Sequence, residues 1–333
     1  MQDPTRLIQN NRLRCKFEKN NTVLFFSLVD YRNNLFTSND PEKIIEFYNG
    51  FHNRDQLIQW MKERPKGASY IHEVEGDKDI IVVIPTADFN GKYARTCREE
   101  IFKGLHMVFV ESGENPDPYF NYAHNCNVGI KRAMEYNPKW VVVSNDDIKT
   151  ERIENLIRLL ETATEKYYVP KNTHSNNEAK VFSINKAIAA LYALHQLINY
   201  GPQTCKLSIK VRKSRTFYGK SILFCQTHGL IFKLLLIFAT SISPPYKNFA
   251  DFGVFDSNVL KENIYNEEFI NGHEDGELCI RLANRGVTAN TLDFLADSLE
   301  GGGNSLGRGG DILRILRDFS NLLLLTTILN RQS

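Results

Sequence analysis

The segment Trp140-Val-Val-Val-Ser144 runs directly into Asn145-Asp146-Asp147. A strand so apolar along its length must be covered on both faces, which is the setting of a sheet with helices packed above and below it. Ending that strand at two adjacent carboxylates puts negative charge at the carboxyl edge of the sheet, where open α/β folds bind ligands. Neighbouring carboxylates repel each other, and a divalent metal carrying a phosphate-rich ligand turns that repulsion into binding. The plainer use of such acids is to cap the turn into the next helix, for which one would be enough.

The surrounding pattern agrees with a layered α/β domain. Ile80-Ile-Val-Val-Ile84 is an apolar strand ending at Pro85-Thr86. A helix is expected over Tyr93–Lys103, closed by Gly104, and a strand over Leu105–Val110, ending at Glu111-Ser112-Gly113. A helix over Val128–Tyr136 ends at Asn137-Pro138. After the acidic pair come an amphipathic helix from about Glu151 to Thr164 and a strand at Tyr167–Val169. Apolar strands alternating with helices imply a mostly parallel sheet with helices on both faces and polar strand ends along one edge. Further on, helices are expected over Ile184–Tyr200, from Asp256 to about Asn263, and over Glu274–Asn284, with a short strand at Gly253–Phe255. A final amphipathic helix, Asp311 to about Leu329, carries Arg314, Arg317, Asp318 and Asn321 on its polar face. Residues 1–78 form an N-terminal extension, with a strand at Val23–Leu28 and short helices at Pro41–Tyr48 and Asp55–Glu63.

Bulk properties remove several classes. The formal charge of +2 over 333 residues is too small to make nucleic acid a partner through bulk electrostatics. The six cysteines contain no Cys-x-x-Cys pair, which suits a reducing compartment and argues against a disulfide framework or a zinc site. Met1-Gln-Asp-Pro-Thr5 lacks the features of a signal peptide, so a cytoplasmic protein is expected. The apolar stretch Ile222–Ile242 is interrupted by Gln226, His228 and Lys233 and reads as buried strand or core helix. No Gly-x-Gly-x-x-Gly or Gly-x-x-x-x-Gly-Lys-Ser/Thr follows the first strand, which excludes the dinucleotide and P-loop cradles. A sheet that binds phosphates without such a cradle needs a cation, and Asp146-Asp147 is the evident holder.

A second acidic group, Gly272-His273-Glu274-Asp275-Gly276-Glu277, opens a helix. Backbone amides and the helix dipole keep a carboxylate ionised there, able to accept a proton. The plainer alternative is an ordinary acidic helix start. Glu277 is one turn from Arg281 and belongs to structure.

Taken together, these segments resemble family 2 glycosyltransferases. Ile81-Val-Val-Ile-Pro-Thr86, Val108-Phe-Val-Glu-Ser-Gly113, Asn127-Val-Gly129 and Trp140–Asp147 are similar to the family's nucleotide half. Tyr265-Asn-Glu-Glu-Phe269 followed by Glu274-Asp275-Gly-Glu-Leu-Cys-Ile-Arg281 looks like its acceptor half. The resemblance implies a GT-A fold over residues 79–305, divided into a nucleotide-sugar half (79–170) and an acceptor half (171–305), with 306–333 as a terminal helix. It also implies a Mn²⁺- or Mg²⁺-dependent, inverting transfer of a sugar from a nucleotide-diphosphate donor to a hydroxyl of a glycan, glycolipid or glycoprotein. Asp147 would bind the metal, and Asp146 the ribose or a metal water. Pro85, Thr86, Asp88, Glu111, Asn127 and Asn145 would line the donor site. Asp275 would be the general base, with Glu274 the second choice.

The chain departs from the family's pattern at Asn145 and Asn266, where acids are usual, and in the late loop Glu300-Gly-Gly-Gly-Asn-Ser305, which lacks a His. Glu300 is a candidate substitute, and His228 a candidate for the acceptor site. The terminal helix serves either core packing or a homodimer contact, or it touches a membrane surface near a lipid-linked acceptor. Two other classes stay open: a sugar-phosphate nucleotidyltransferase, and a non-catalytic nucleotide- or sugar-binding protein with this fold.

Overall fold

The computed structural model describes residues 51–113, 120–171, 180–184, 221–225, 240–299 and 320–329, apart from a few single positions. All of these belong to the larger of the two units into which the chain divides, Tyr31–Ser333. The elements expected at Val23–Leu28 and Pro41–Tyr48, most of Ile184–Tyr200, His228, Glu300 and the arginines of the terminal helix lie outside the described residues.

The strands are β1 (Ser69–Val74), β2 (Asp77–Thr86), β3 (Leu105–Ser112), β4 (Trp140–Ser144), β5 (Ile148–Thr150), β6 (Tyr167–Lys171), β7 (Lys180–Ile184), β8 (Ser221–Cys225), β9 (Thr240–Ser241), β10 (Phe252–Asp256) and β11 (Asn290–Ser298). Eight of them form one mixed sheet in the order β1-β3-β2-β4-β10-β6-β11-β5. Strands β2, β3, β4, β6 and β11 run one way, and β1, β10 and β5 run against them. The sheet is therefore mixed where the sequence suggested a mostly parallel one. A short apolar run such as Gly253-Val-Phe255 carries no mark of direction, and β10 inserts antiparallel between β4 and β6. A separate three-stranded sheet joins β7 to β8 and β9; Ile184, expected to open a helix, instead ends β7.

The helices are α1 (Arg54–Glu63), α2 (Lys92–Thr96), α3 (Tyr122–Met134), α4 (Ile153–Glu161), α5 (Ser257–Glu262) and α6 (Glu274–Asn284). Side chains alternate across a strand, and β2 uses both faces. Val82 and Ile84 join Ala94, Cys97, Phe102, Leu156 and Leu160 from the α2 and α4 side. Val83 meets α3 on the other face, so closely that a Cβ added at Gly129 would lie 2.4 Å from its Cγ1 and 2.9 Å from Val110 Cγ2. Overpacking of this kind costs about 1–3 kcal/mol. Gly129→Ala is therefore expected to lower the unfolding free energy by that amount in a urea titration; an unchanged midpoint contradicts the close packing.

Helix α3 begins before the expected Val128, because Asn121 accepts a hydrogen bond from the His124 amide at 2.9 Å and caps it. Strand β1, within the segment assigned to the extension, is an edge strand of the main sheet and pairs with β3. Glu73 anchors it: its carboxylate accepts from Arg132 Nε at 2.9 Å and Tyr136 Oη at 2.7 Å and meets His106 Nε2 at 3.0 Å. Burial would raise the Glu73 carboxyl, but these hydrogen bonds together outweigh it and hold it below the usual range.

Residues 320–325 and 327–329 are helical. Asn321, expected on the polar face of that helix, is fully buried. Its side chain accepts from the Ile270 amide at 2.8 Å and donates to the Ile270 carbonyl at 3.0 Å. A polar residue whose groups are both satisfied by backbone can sit inside, so polarity alone misplaced it. The described part of this helix packs inward, with Leu323, Leu324, Leu325 and Leu329 buried.

Candidate functional site

Strand β4 delivers Asn145, Asp146 and Asp147 to the carboxyl edge of the sheet. Thr86, the last residue of the neighbouring β2, donates its hydroxyl to Asp146 Oδ2 at 2.6 Å. A single π-helical turn, Cys97–Ile101, follows α2 and places the Cys97 thiol on the Asp146 carbonyl at 3.2 Å. Asp147 is only 8% exposed. Its carboxyl is pushed up to about 6, first by burial and then by the negative charges of Asp146 and Asp251. Burial also raises Asp146, against the Thr86 hydrogen bond.

Asp251 is the acid that sequence reasoning missed. It precedes β10, whose antiparallel direction brings its start to the same edge as the ends of β2 and β4; Phe252 lies opposite Ser144. Asn145 grips Asp251 twice, its amide donating to the Asp251 carbonyl at 3.0 Å and its Nδ2 to Asp251 Oδ1 at 2.7 Å. Asn145 Oδ1 in turn accepts from the Tyr122 hydroxyl at 2.9 Å, so its amide orientation is fixed. Strand β11 also ends here: it pairs with β5, and the Leu299 amide donates to the Asp147 carbonyl at 2.8 Å.

The second acidic group opens α6. Three residues before it have positive φ: Asn271 (41°), Gly272 (156°) and His273 (68°). Left-handed non-glycine residues store strain, and such strain gathers at functional sites. Glu274 is buried and accepts from the Gly272 amide, closing this turn. Asp275 is half-buried. Burial raises its carboxyl, opposed by the Gly276 amide, the nearby His273 and a hydrogen bond with Asn248. Its charge reaches the buried phenols Tyr265, Tyr167 and Tyr246 and the Cys126 thiol.

Tyr122 stands between the two groups. Its hydroxyl touches Asn145, its ring meets Tyr265 edge-on at 6.3 Å, and Cys126, one turn along α3, feels both Glu274 and Asp275. The acids at 146, 147 and 251 are thereby linked to those at 274 and 275 through one helix start.

The other predicted residues have structural duties. Glu111 accepts from the Phe89 amide at 3.1 Å and meets His72 Nε2 at 2.7 Å, holding the loop after β2, while His72 stacks on Phe89 at 4.4 Å. Asp88 caps a turn by accepting from the Asn90 amide at 2.9 Å. Pro85 is buried within β2. Asn127, expected at the donor site, is buried, donates to the Tyr265 carbonyl at 2.9 Å and Glu267 Oε1 at 2.8 Å, and accepts from the Tyr265 amide at 2.9 Å. Its amide clamps α3 to the segment before α6. Asn266 closes a turn onto the Glu268 amide at 3.0 Å.

Glu277 pairs with Arg281 as expected, through two contacts of 3.0 Å, and Arg281 also donates to the Ile264 carbonyl at 2.7 Å. Glu277 is 4% exposed. Removing the partner of a buried charge costs about 3–5 kcal/mol. Arg281→Ala is expected to lose that much stability by chemical denaturation; a loss below about 1 kcal/mol, typical of an exposed pair, contradicts it.

Three carboxylates are hard donors, and Mg²⁺ or Mn²⁺ commonly takes one or two of them while substrate phosphates and water fill the remaining positions. Among the described residues no group of three or more His, Cys, Asp or Glu side chains is arranged to hold a metal ion by itself. Carboxylates of this kind suit a cation whose remaining positions are filled by substrate phosphates and water. Among the described residues no helix is long and apolar enough to cross a membrane. No protein-family model and no curated protein matches the chain.

Proposed function

We propose that this protein is a metal-dependent, inverting glycosyltransferase using a nucleotide-diphosphate sugar. The observation that carries the reading is Asp147: a buried carboxylate at the carboxyl edge of the sheet, raised to about 6 and acted on by two other acids. Burying such a group costs stability unless a cation offsets it, and a cation at a sheet edge without a glycine cradle suits a diphosphate.

Asp147 holds the metal, with Asp146 beside it, and Thr86 fixes the Asp146 carboxylate by its hydrogen bond. The metal, when bound, stabilises the leaving diphosphate as a Lewis acid. Thr86, Asp88 and Glu111, at or just after the ends of β2 and β3, would border the base and ribose in addition to the structural bonds that Asp88 and Glu111 make. Asp275 takes the proton of the acceptor hydroxyl as its oxygen forms a bond to the anomeric carbon and the bond to the diphosphate breaks. Burial raises Asp275, which makes its ionised form a stronger base than an exposed aspartate.

The test is incubation of the chain with a panel of nucleoside-diphosphate sugars and Mn²⁺, following release of the nucleoside diphosphate. Slow, EDTA-sensitive hydrolysis of at least one donor is expected. Pyrophosphate release from a nucleoside triphosphate and a sugar phosphate, with no donor hydrolysed, overturns the assignment in favour of a nucleotidyltransferase.

A further inference from the structure

Tyr70, on the edge strand β1, is 56% exposed, and His72, the next side chain on the same face, keeps 35% exposure. Tyr70 lies opposite Glu111 in the β1–β3 ladder, and Glu111 lies beside Thr86 in the β3–β2 ladder. Paired residues on neighbouring strands share a face, so Tyr70, Glu111 and Thr86 form one row across three strands at the carboxyl edge. Thr86 continues the row to Asp146 through its 2.6 Å hydrogen bond. The Tyr70 ring sits just past the end of β3, since a Cβ added at Gly113 would lie 3.5 Å from its Cε2. His72 is braced more firmly. Phe89 stacks on one face of its imidazole, with centroids 4.4 Å apart and planes 6° from parallel, and Glu111 Oε2 meets its Nε2 at 2.7 Å. Phe89 is itself held, with Arg98 over its ring at 4.6 Å and Phe109 edge-on at 5.3 Å. An imidazole fixed at its rim and on one face has its other face left to meet a planar partner.

We infer that Tyr70 and His72 form a stacking platform for a nucleobase. The inference rests on the nucleotide-sugar reading and adds a part of the donor site that lies on β1, outside residues 79–305. A base is a flat ring that stacks on aromatic side chains whatever its identity. Its N–H groups lie at its rim, in the ring plane. Glu111 spends one oxygen on His72 and the other on the Phe89 amide. Each carboxylate oxygen accepts two hydrogen bonds, so Glu111 retains lone pairs for an N–H of the base. With the base on Tyr70 and His72, the row through Glu111 and Thr86 to Asp146 takes the ribose and then the diphosphate in that order.

UDP, GDP, ADP, CDP and inorganic pyrophosphate, each with Mn²⁺, are the probes, their binding to the full chain followed by calorimetry. Pyrophosphate carries the phosphates without a base. Loss of a base–aromatic stack weakens binding about 5- to 150-fold. Tyr70→Ala is expected to weaken the best-bound nucleotide within that range, and Tyr70→Phe, which keeps the ring, to retain wild-type affinity. His72→Ala is expected to weaken it as well, and His72→Phe by less. Pyrophosphate affinity stays at the wild-type value in all four variants. Tyr70 is exposed, so its replacement leaves the core untouched. A merely structural role would move both kinds of probe together, and equal losses for nucleotide and pyrophosphate overturn the platform. Wild-type nucleotide affinity in both alanine variants overturns it too. A wild-type chain that binds pyrophosphate with Mn²⁺ but none of the four nucleotides removes the platform and leaves the cation site standing. A wild-type chain that binds neither removes both.

Discussion

Asp275→Asn is expected to lower sugar transfer by about 10²–10⁴-fold, the range that a general base contributes, with donor binding near wild type. The substitution keeps the volume and an oxygen that can still accept from the Gly276 amide, as Asp275 Oδ1 does at 2.8 Å. It removes only the capacity to take a proton. Burial raises the Asp275 carboxyl, so the active, ionised form is gained as pH rises, and the acid limb of kcat/KM should lie above the ordinary aspartate range. The check is a steady-state pH profile beside donor titration by calorimetry. Transfer at the wild-type rate removes Asp275 from the chemistry. Glu274 then becomes the candidate, although its bond to the Gly272 amide gives it a turn-closing task already.

Asp147→Asn moves function and stability in opposite directions. Under the proposed function, metal-dependent donor binding is expected to be lost, because the amide is a far poorer cation ligand than the carboxylate. In EDTA the same variant is more stable than wild type at neutral pH. The folded carboxyl sits at about 6 against an ordinary value of 3.8. A carboxyl raised on folding binds its proton more tightly in the folded state. Its penalty is absent below about pH 4, grows between the two values and is complete above about pH 6. At 1.36 kcal/mol per unit the shift amounts to about 3 kcal/mol. Urea denaturation in EDTA should show a gain approaching that size at pH 7.5, shrinking toward zero at pH 4. A variant that is less stable than wild type at pH 7.5 contradicts the account of Asp147 as a strained, cation-seeking acid.

Most of the strands that build the site edge were legible because burial on both faces leaves an unbroken apolar run. Ile80–Ile84, Leu105–Val110 and Trp140–Val143 could hardly be anything else, and the acids after β4 and at the start of α6 followed from them. Strand direction was not legible. Without knowing that β10 runs antiparallel, nothing places Asp251 opposite Asn145, so the third carboxylate stayed hidden in Tyr246-Lys-Asn-Phe-Ala-Asp251. The start of α3 was missed because Asn121, Asn125 and Asn127 read as a polar loop, whereas each is buried and bonded inside the fold. Asn121 and Asn321 make the same point. An amide that finds both a donor and an acceptor in the backbone carries no signal of exposure.

The central claim is that acids from separate segments share one cation. Crystals grown with Mn²⁺ and a nucleoside diphosphate, measured for manganese anomalous scattering, test it directly. An anomalous peak in contact with the Asp147 carboxylate, between the diphosphate and the Asp146–Asp251 edge, is the predicted result. Density for the nucleotide away from this edge, or a saturating Mn²⁺ concentration that leaves no peak at Asp147, contradicts it.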